Sequence, residues 1–519
     1  MIYDFSNLSS VGIVKDVSPH ILPEGAWPDG NKIRFADGKV QKMTGHEQVF
    51  NDLTVAPHWL LPVPTTVSYF WMYAGTAKVY VTDGTTHTDV TWATGDYTPT
   101  DDIKHTGGVL GGIPVISNGV DCPQVWNPQT AATAFAAAKW DATLTWATVA
   151  TTGHTCRAFR TVKSFWVALD VNKAGTRKPY LVKWSHPAEP GAEPVTWDEA
   201  DATKLAGEVD LAQTSGFVVD CLPLGNTNII YKEDSIWGMQ FIGGNDVFRF
   251  FPIYDGHGIM STDCVVEVDK RHVVLTPEDV IIHDGQSQPK SILDKKWRTW
   301  LINNIDTTNY RQSYVAKDPI KSEVWICIPT TAALYPDKAL VWNWRDNTLG
   351  VRDLPNAPHI SYGAVSEQIS TAYDDQTATY DASTEVYDRT VFNPSTRRFL
   401  IANTNLFKSN ETNTFDGTAF TSNIIRTGIS FGDPNTRKKV KKVWLQMEGT
   451  GPVNVSIGVH DRPDETPTYD TAVSFDPTTD RKVDVVADGF YIAFKIESTT
   501  DTDWTLSGLQ FELEETGKR

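Results

Sequence analysis

Residues 69–84, YFWMYAGTAKVYVTDG, hold the unit on which the fold reading turns. An aromatic, apolar run at 69–74 is followed by a small-residue turn around Gly75. A second run, Val79-Tyr80-Val81, then stops at Asp83-Gly84. β-Branched and aromatic residues suit a pleated, half-buried surface, and Asp-Gly suits a tight turn because both residues accept positive φ. The same theme returns near 112–126, 157–184, 228–242, 271–283, 312–344 and 398–408. Each group is an apolar strand, a turn, and a second strand ending in an aromatic or an Asp/Asn-Gly. Trp126-Asn127-Pro128 and Trp342-Asn343-Trp344 are two echoes of one ending. Regular spacing of such groups predicts a β-propeller or a sandwich rather than an α/β protein; as a propeller it has about six or seven blades, the repeats being too degenerate to align strictly.

Turn dipeptides carry the same reading outward. Asp29-Gly30, Asp37-Gly38, Asp83-Gly84, Asn118-Gly119, Asp284-Gly285, Asp416-Gly417 and Asp488-Gly489 read as hairpin turns in series. From about residue 424 the style changes. Seven short strands with polar turns, at 424–431, 440–447, 453–459, 471–475, 482–486, 490–496 and 504–514, predict a separate β-sandwich. The chain is therefore all-β: an N-terminal arm and hairpin at 1–55, a propeller at 56–415 and a C-terminal β-sandwich at 416–519. Residues 366–397, rich in Asp, Glu, Thr and Tyr, read as an exposed insertion loop or as a docking loop for a neighbouring chain. Two stretches carry helical signal. Residues 291–303 place Leu293, Trp297, Trp300 and Leu301 on one helical face, and 129–139 is Ala-rich.

Composition narrows the function. The 519 residues contain 46 Lys+Arg against 64 Asp+Glu, a net charge of −18. Proteins that grip DNA do so with cations against phosphate, so such a chain is no simple DNA binder. A conduit for DNA, however, should not be sticky. Apolar runs fall far below the ~18 residues of a membrane span. The first residues have neither a basic nor an apolar region, so no secretory signal is visible. Cys122, Cys156, Cys221, Cys264 and Cys327 are odd in number, widely spaced and without CxxC. They read as buried free thiols of a protein folding in a reducing cytoplasm.

The motifs of catalysis are absent. There is no Walker loop, HExxH, GxSxG or post-strand GxGxxG. The glycines of residues 107–112 lead into a predicted strand, so they build no phosphate-binding helix terminus. Thr82-Asp83-Gly84-Thr85-Thr86 loosely resembles a sialidase Asp-box, but its spacing is wrong and it occurs once. His257, Ser261 and Asp263 lie too close in sequence for a triad, which assembles from distant positions. Asp461, Asp464 and Asp470 lack the loop spacing of a calcium site and read as a solvated turn. Arg437-Lys438-Lys439-Val440-Lys441-Lys442 is either a contact for DNA or an acidic partner, or an edge strand protected by lysines. The edge strand is preferred. No catalytic, cofactor-binding or metal-ligating residue is assigned, and no cofactor is expected.

One segment goes further. Residues 12–42, GIVKDVSPHILPEGAWPDGNKIRFADGKVQK, resemble the N-terminus of the tail nozzle (tail-hub, DNA-stabilisation) proteins of short-tailed bacteriophages. The shared pattern is Gly12, Ile13 and Asp16, then Leu22-Pro23, Ala26-Trp27 with Asp29-Gly30, and Arg34-Phe35 with Asp37-Gly38. Similar stretches follow in order: Lys183-Trp184-Ser185-His186-Pro187, Ser235-Ile236-Trp237 through Gly243-Gly244, and Ile282-His283-Asp284-Gly285. Then come Val341-Trp342-Asn343-Trp344, Arg352-Asp353-Leu354-Pro355, residues 491–498 and residues 504–509. Residues 366–397 match nothing in the pattern.

The resemblance implies a propeller with added β-domains and a non-enzymatic structural virion protein. It implies a six-fold ring at the tail tip, assembled in the host cytoplasm, that retains packaged DNA and forms its exit channel at infection. Implied partners are a head-to-tail adaptor, tail fibre, spike or needle proteins, and transiently passing DNA. The alternative is a propeller that degrades or binds glycans at the host surface. Degradation would need a carboxylate pair in a central pocket.

Overall fold

The computed structural model describes residues 1–518 except 6, 65–68, 101–103, 129, 131, 366–396, 410–411 and 464. Among the described residues, seven antiparallel four-stranded units form the propeller. Blade 1 is Trp59–Pro64, Tyr69–Ala74, Val79–Thr82 and His87–Asp89. Blade 2 is Thr106–Leu110, Ile113–Ser117, Gln124–Val125 and Ala136–Ala137. Blade 3 is His154–Val162, Phe165–Lys173, Thr176–Trp184 and Gly207–Asp210. Blade 4 is Val218–Leu224, Thr227–Lys232, Ser235–Phe241 and Phe248–Asp255. Blade 5 is Val265–Val268, Arg271–Leu275, Val280–His283 and Lys290–Ser291. Blade 6 is Tyr314–Asp318, Glu323–Ile328, Lys338–Asn343 and Thr348–Asp353.

Blade 7 takes three strands from late in the chain, Ile360–Ala364, Arg397–Ala402 and Leu406–Ser409. Its fourth, His46–Gln48, comes from the N-terminal region, in the register Phe407↔Gln48 and Ser409↔His46. The first strand of each blade touches the first strand of the next, and blade 7 touches blade 1, so the ring closes. Without His46–Gln48 blade 7 would present an open edge; the borrowed strand covers it and ties the ring shut.

The sandwich is built from both ends of the chain. One sheet runs Lys482–Gly489, Thr436–Gly449, Trp504–Lys518, Lys39–Lys42, Ile33–Ala36, with Ile2–Phe5 also on Trp504–Lys518. The other runs Asp29–Asn31, Ser422–Ile429, Tyr491–Ser498, Val453–His460, Thr468–Tyr469, with Val473–Phe475 on Val453–His460. Phe35, Val443 and Phe511 from the first sheet and Ile424, Ile457 and Phe494 from the second are buried. They belong to one apolar core that continues through Ile13, Trp27 and Ile33 into blades 5 and 6.

Residues 1–55 are thus no free-standing arm. Their strands go to the sandwich, to blade 7 and, through Gly12–Ile13 and Ala26–Trp27, to the outer edge of blade 6. The joint is specific. Trp297 donates its indole N–H to the Ile13 carbonyl at 2.6 Å, and the Lys15 amide bonds the Lys296 carbonyl at 2.7 Å. Gly12 sits at φ +87°, where a Cβ would lie 2.6 Å from the Leu349 carbonyl oxygen. Only glycine fits there without strain.

Several local expectations are corrected. Asp37-Gly38 and Asp416-Gly417 are hairpin turns with both residues at positive φ. Asp29-Gly30 and Asp488-Gly489 instead lie within strands, where cross-strand partners satisfy their backbone. The helix at 291–303 shortens to Arg298–Asn304, because Lys290–Ser291 is the outer strand of blade 5. Leu293, Trp297 and Leu301 are nonetheless buried together. In the Ala-rich stretch 129–139, Ala136–Ala137 pairs with Gln124–Val125; an available sheet edge overrides helix propensity. Of the proposed insertion at 366–397, residues 366–396 lie outside the described residues, and Arg397 opens a strand of blade 7. No described helix is long and apolar enough to cross a membrane.

Candidate functional site

The first strands of the blades line the propeller axis, and charged side chains meet there. Arg160 of blade 3 donates from Nε and Nη2 to the two oxygens of Asp220 in blade 4, at 2.7 and 2.8 Å. The same Nη2 reaches Asp263, just ahead of blade 5, at 2.7 Å. The amides of Cys221 and Asp263 add bonds to Asp220, each 2.8 Å. One guanidinium therefore clamps three blades. Lys104 extends the network by donating to the carbonyls of Thr262 (2.6 Å) and Ser313 (2.5 Å). A cavity of about 190 Å³ lies beside Arg160, Asp220 and Asp263.

This cluster contains a central carboxylate pair, yet both members serve one cation. Burial pushes the Asp263 carboxyl up, but Arg160 and Lys104 outweigh it and hold it below its usual range. A general acid working near neutral pH needs the opposite shift. His105 and His359, also near the axis, are held neutral by burial, with pKa values lowered to about 4.

The other candidates resolve simply. Asp263 belongs to the Arg160 clamp, and Ser261 donates to the Arg311 carbonyl at 2.9 Å. His257 instead lies near His283, whose pKa it helps to lower. The three do not form a relay. Asp83 accepts the amides of Thr85 (2.9 Å) and Thr86 (2.8 Å), a side-chain-capped turn. Gly111 and Gly112, at φ +59° and +83°, make the hairpin between the first two strands of blade 2. All five cysteines are buried and free. Asp461 faces Arg437 at 3.9 Å, the Asp470 amide bonds the Ile457 carbonyl at 3.0 Å, and Asp464 lies outside the described residues. Among the described residues no group of three or more His, Cys, Asp or Glu is placed to hold a metal ion.

The basic run at 437–442 is not an edge strand. Thr436–Gly449 is paired on both sides, by Lys482–Gly489 and by Trp504–Lys518. Cross-strand carboxylates answer three of its five charges: Lys441 meets Glu514 at 2.6 Å, Lys442 meets Glu512 at 3.1 Å, and Arg437 meets Asp488 at 3.1 Å. Lys438 is buried and donates to the Asp433 and Thr436 carbonyls.

A second pocket, about 360 Å³, opens where inter-blade connections and second-to-third-strand turns converge. Arg157, from the first strand of blade 3, shares it with Arg177, Arg311, Asp170 and Glu233. Asp170 is taken by Arg177 at 2.8 and 2.6 Å, and Glu233 accepts the Phe217 amide at 3.0 Å. The pocket thus holds three guanidinium groups against two engaged carboxylates. Sequence reading missed these arginines. The available signal was the pair Arg157 and Arg160 inside HTCRAFRTV, charges amid strand residues that are otherwise largely buried.

The fold these pairings define is a seven-bladed β-propeller, closed by an N-proximal strand and joined to a β-sandwich. No protein family and no curated protein matches the chain. Among solved structures, the chain is similar to the AfRom2 CNH domain at 8% identity and TM-score 0.37, covering 70% of this chain and 97% of that one. It is similar to the WD40 domain of Toxoplasma gondii coronin at 8% identity and TM-score 0.36, covering 74% and 88%. It is also similar to PorZ, a surface component of the type-IX secretion system of Porphyromonas gingivalis, at 8% identity and TM-score 0.35. That match covers 84% of this chain and 46% of PorZ, so the chain spans about half of PorZ's length. The blade count rests on the strand pairing, not on these likenesses.

Proposed function

We propose that the chain is a tail nozzle subunit of a short-tailed bacteriophage. In this reading it is a non-enzymatic virion protein at the tail tip, assembled in the host cytoplasm. It forms a homohexameric ring that retains packaged DNA and provides the exit channel at infection. The ring docks on a head-to-tail adaptor and carries fibre, spike or needle proteins.

The observation that carries the reading is where the resembling residues sit. Gly12-Ile13, Ala26-Trp27, Asp29-Gly30 and Arg34-Phe35 are the strands that join propeller to sandwich. The stretch that resembles nozzle proteins is the one that dictates how the two β-units are held together. The net charge of −18 suits a wall along which DNA slides, because binding needs cations against phosphate. The propeller's own axis is crossed by Arg160 and Lys104 and their partners. DNA would therefore pass through the lumen of the ring rather than through a single propeller. A one-chain ring closes by head-to-tail contacts.

Antibody-gold labelling of particles from an infected lysate tests the reading. Label at the tail tip is expected. Label on projecting fibres alone, or none on particles, would refute it. The second reading, a glycan-directed propeller, is favoured by the arginine pocket alone.

A further inference from the structure

We infer that Tyr231, His272 and His283 form a proton-sensitive latch across the seam between blades 4 and 5, closed while both imidazoles are neutral and opened by mild acid. The inference does not depend on the nozzle reading. Tyr231 lies on the second strand of blade 4, and His272 and His283 face each other across the second and third strands of blade 5. All three are buried. The Tyr231 hydroxyl stands 2.7 Å from His272 Nδ1 and 2.9 Å from His283 Nε2. The acceptors dictate where the protons lie. His272 Nε2 is 3.1 Å from the Pro223 carbonyl, which can only accept, so Nε2 carries the hydrogen. In a neutral ring Nδ1 is then bare and takes the Tyr231 proton. The hydroxyl has no second proton, so it accepts from His283 Nε2–H. His283 Nδ1 is left bare and buried, and among the described residues it has no hydrogen-bond partner. Donation thus runs one way, from His283 through Tyr231 and His272 to Pro223, and crosses the seam three times.

One added proton breaks this order. On His272 Nδ1 it sets a second hydrogen against the Tyr231 hydroxyl, whose own hydrogen can turn only to His283 Nε2, already protonated. On His283 Nδ1 it makes an N–H where no acceptor stands, and shifting the His283 proton from Nε2 to Nδ1 makes the same orphan. Either way a buried donor goes unpaired beside a buried charge, and both are costly. The surrounding groups do not rescue it. Asp284 favours a charge on His283, but its Oδ1 already accepts the amides of Gln286 (2.9 Å) and Ser287 (2.7 Å), and His257 opposes it. The Tyr254 ring stands edge-on to His283, 5.4 Å between centroids, with its hydroxyl given to the Ser287 carbonyl. His283 disfavours a charge on His272, 5.7 Å away, and Glu267 opposite His272 is exposed. From blade 4, Asp220 and Cys221 help burial to keep the proton on Tyr231. Burial prevails, and both imidazoles titrate only near pH 4. Opening the seam returns each to an ordinary pKa of about 6.5. Below that, each raises the opening constant up to about tenfold per pH unit.

The test is hydrogen exchange read by mass spectrometry on the full-length chain at pH 7, 6 and 5, corrected for the intrinsic pH dependence of exchange. Peptides covering Thr227–Lys232, Arg271–Leu275 and Val280–His283 should open about tenfold more, or beyond, between pH 6 and pH 5. Peptides covering Glu323–Ile328 and Lys338–Asn343 of blade 6, strands without histidine, should not. The double variant H272N/H283Q gives the Tyr231 hydroxyl an acceptor and a donor that do not titrate, and should abolish the acid step. Y231F should open the same peptides at pH 7 while blade 6 stays protected. An equal acid step in blade 6 would mean general destabilisation and would overturn the latch, as would a step retained in folded H272N/H283Q. Absence of the step in the wild-type chain would overturn it with no variant needed.

Discussion

Two clusters of charge in this chain have opposite natures. At the propeller axis, Arg160, Asp220 and Asp263 have side chains only 14%, 2% and 16% exposed, and they link three blades. In the sandwich, the run at 437–442 is contiguous and conspicuous, yet Lys441 and Glu514 are 43% and 53% exposed. The scattered cluster is desolvated and structural. In the conspicuous one Arg437, Lys441 and Lys442 form solvated cross-strand pairs, while Lys438 is buried and donates to the Asp433 and Thr436 carbonyls. A buried ion pair costs much to break because the survivor keeps its charge without a partner, whereas an exposed pair is screened by water and salt. Clustering along the sequence is thus a poor guide to where charge matters.

The sharpest way to break this contrast is R160M. It leaves Asp220 and Asp263 without their shared cation, and the propeller should lose about 3–5 kcal/mol, read from urea unfolding. Replacing all three by apolar residues of similar size should recover most of that loss.

Acid comes next. Burial lowers the pKa values of His46, His105, His272, His283 and His359 to about 4, and all five lie in or beside propeller strands. The unfolded chain binds protons on these residues from about pH 6.5 downward, while the folded chain does so only near pH 4. Their contribution to stability is whole above pH 6.5 and is lost as the pH falls toward 4. Urea midpoints should drop across that window. H272F, which removes one partner of the Tyr231 hydroxyl (2.7 Å to His272, 2.9 Å to His283), should flatten the slope. A pH-independent midpoint would contradict the assignment.

At the joint, G12A forces a Cβ against the Leu349 backbone at positive φ and should cost about 1–3 kcal/mol. The smallest effect belongs to K441A. It should leave the urea midpoint nearly unchanged, and any change should vanish in high salt. A loss as large as that of R160M would erase the distinction between the two clusters.

The architecture was largely legible. The seven strand groups of the sequence fall on the seven blades, and the seven late strands fall within the sandwich, because turn chemistry and β-branched runs are local signals. What was not legible depends on partners far away in the chain. His46-Glu47-Gln48 has no pattern marking it as the closing strand of blade 7; its role is defined by pairing with Phe407, Lys408 and Ser409. Nor does the run at 437–442 say whether it lies at an edge, since its neighbours are near 484 and 512. The axis clamp and the arginine pocket are assembled from blades distant in sequence, as propeller sites are by geometry. Only the charges at 157 and 160 inside an otherwise largely buried strand hinted at either.

The most direct test of the nozzle proposal is a reconstruction of the tail of virions that carry this chain. The expected result is density at the tail tip into which the propeller and sandwich, joined through residues 12–42, fit repeatedly around the tail axis with the lumen between copies. A tail tip with no place for that pair of β-units, or the pair found only in projecting fibres, would contradict it.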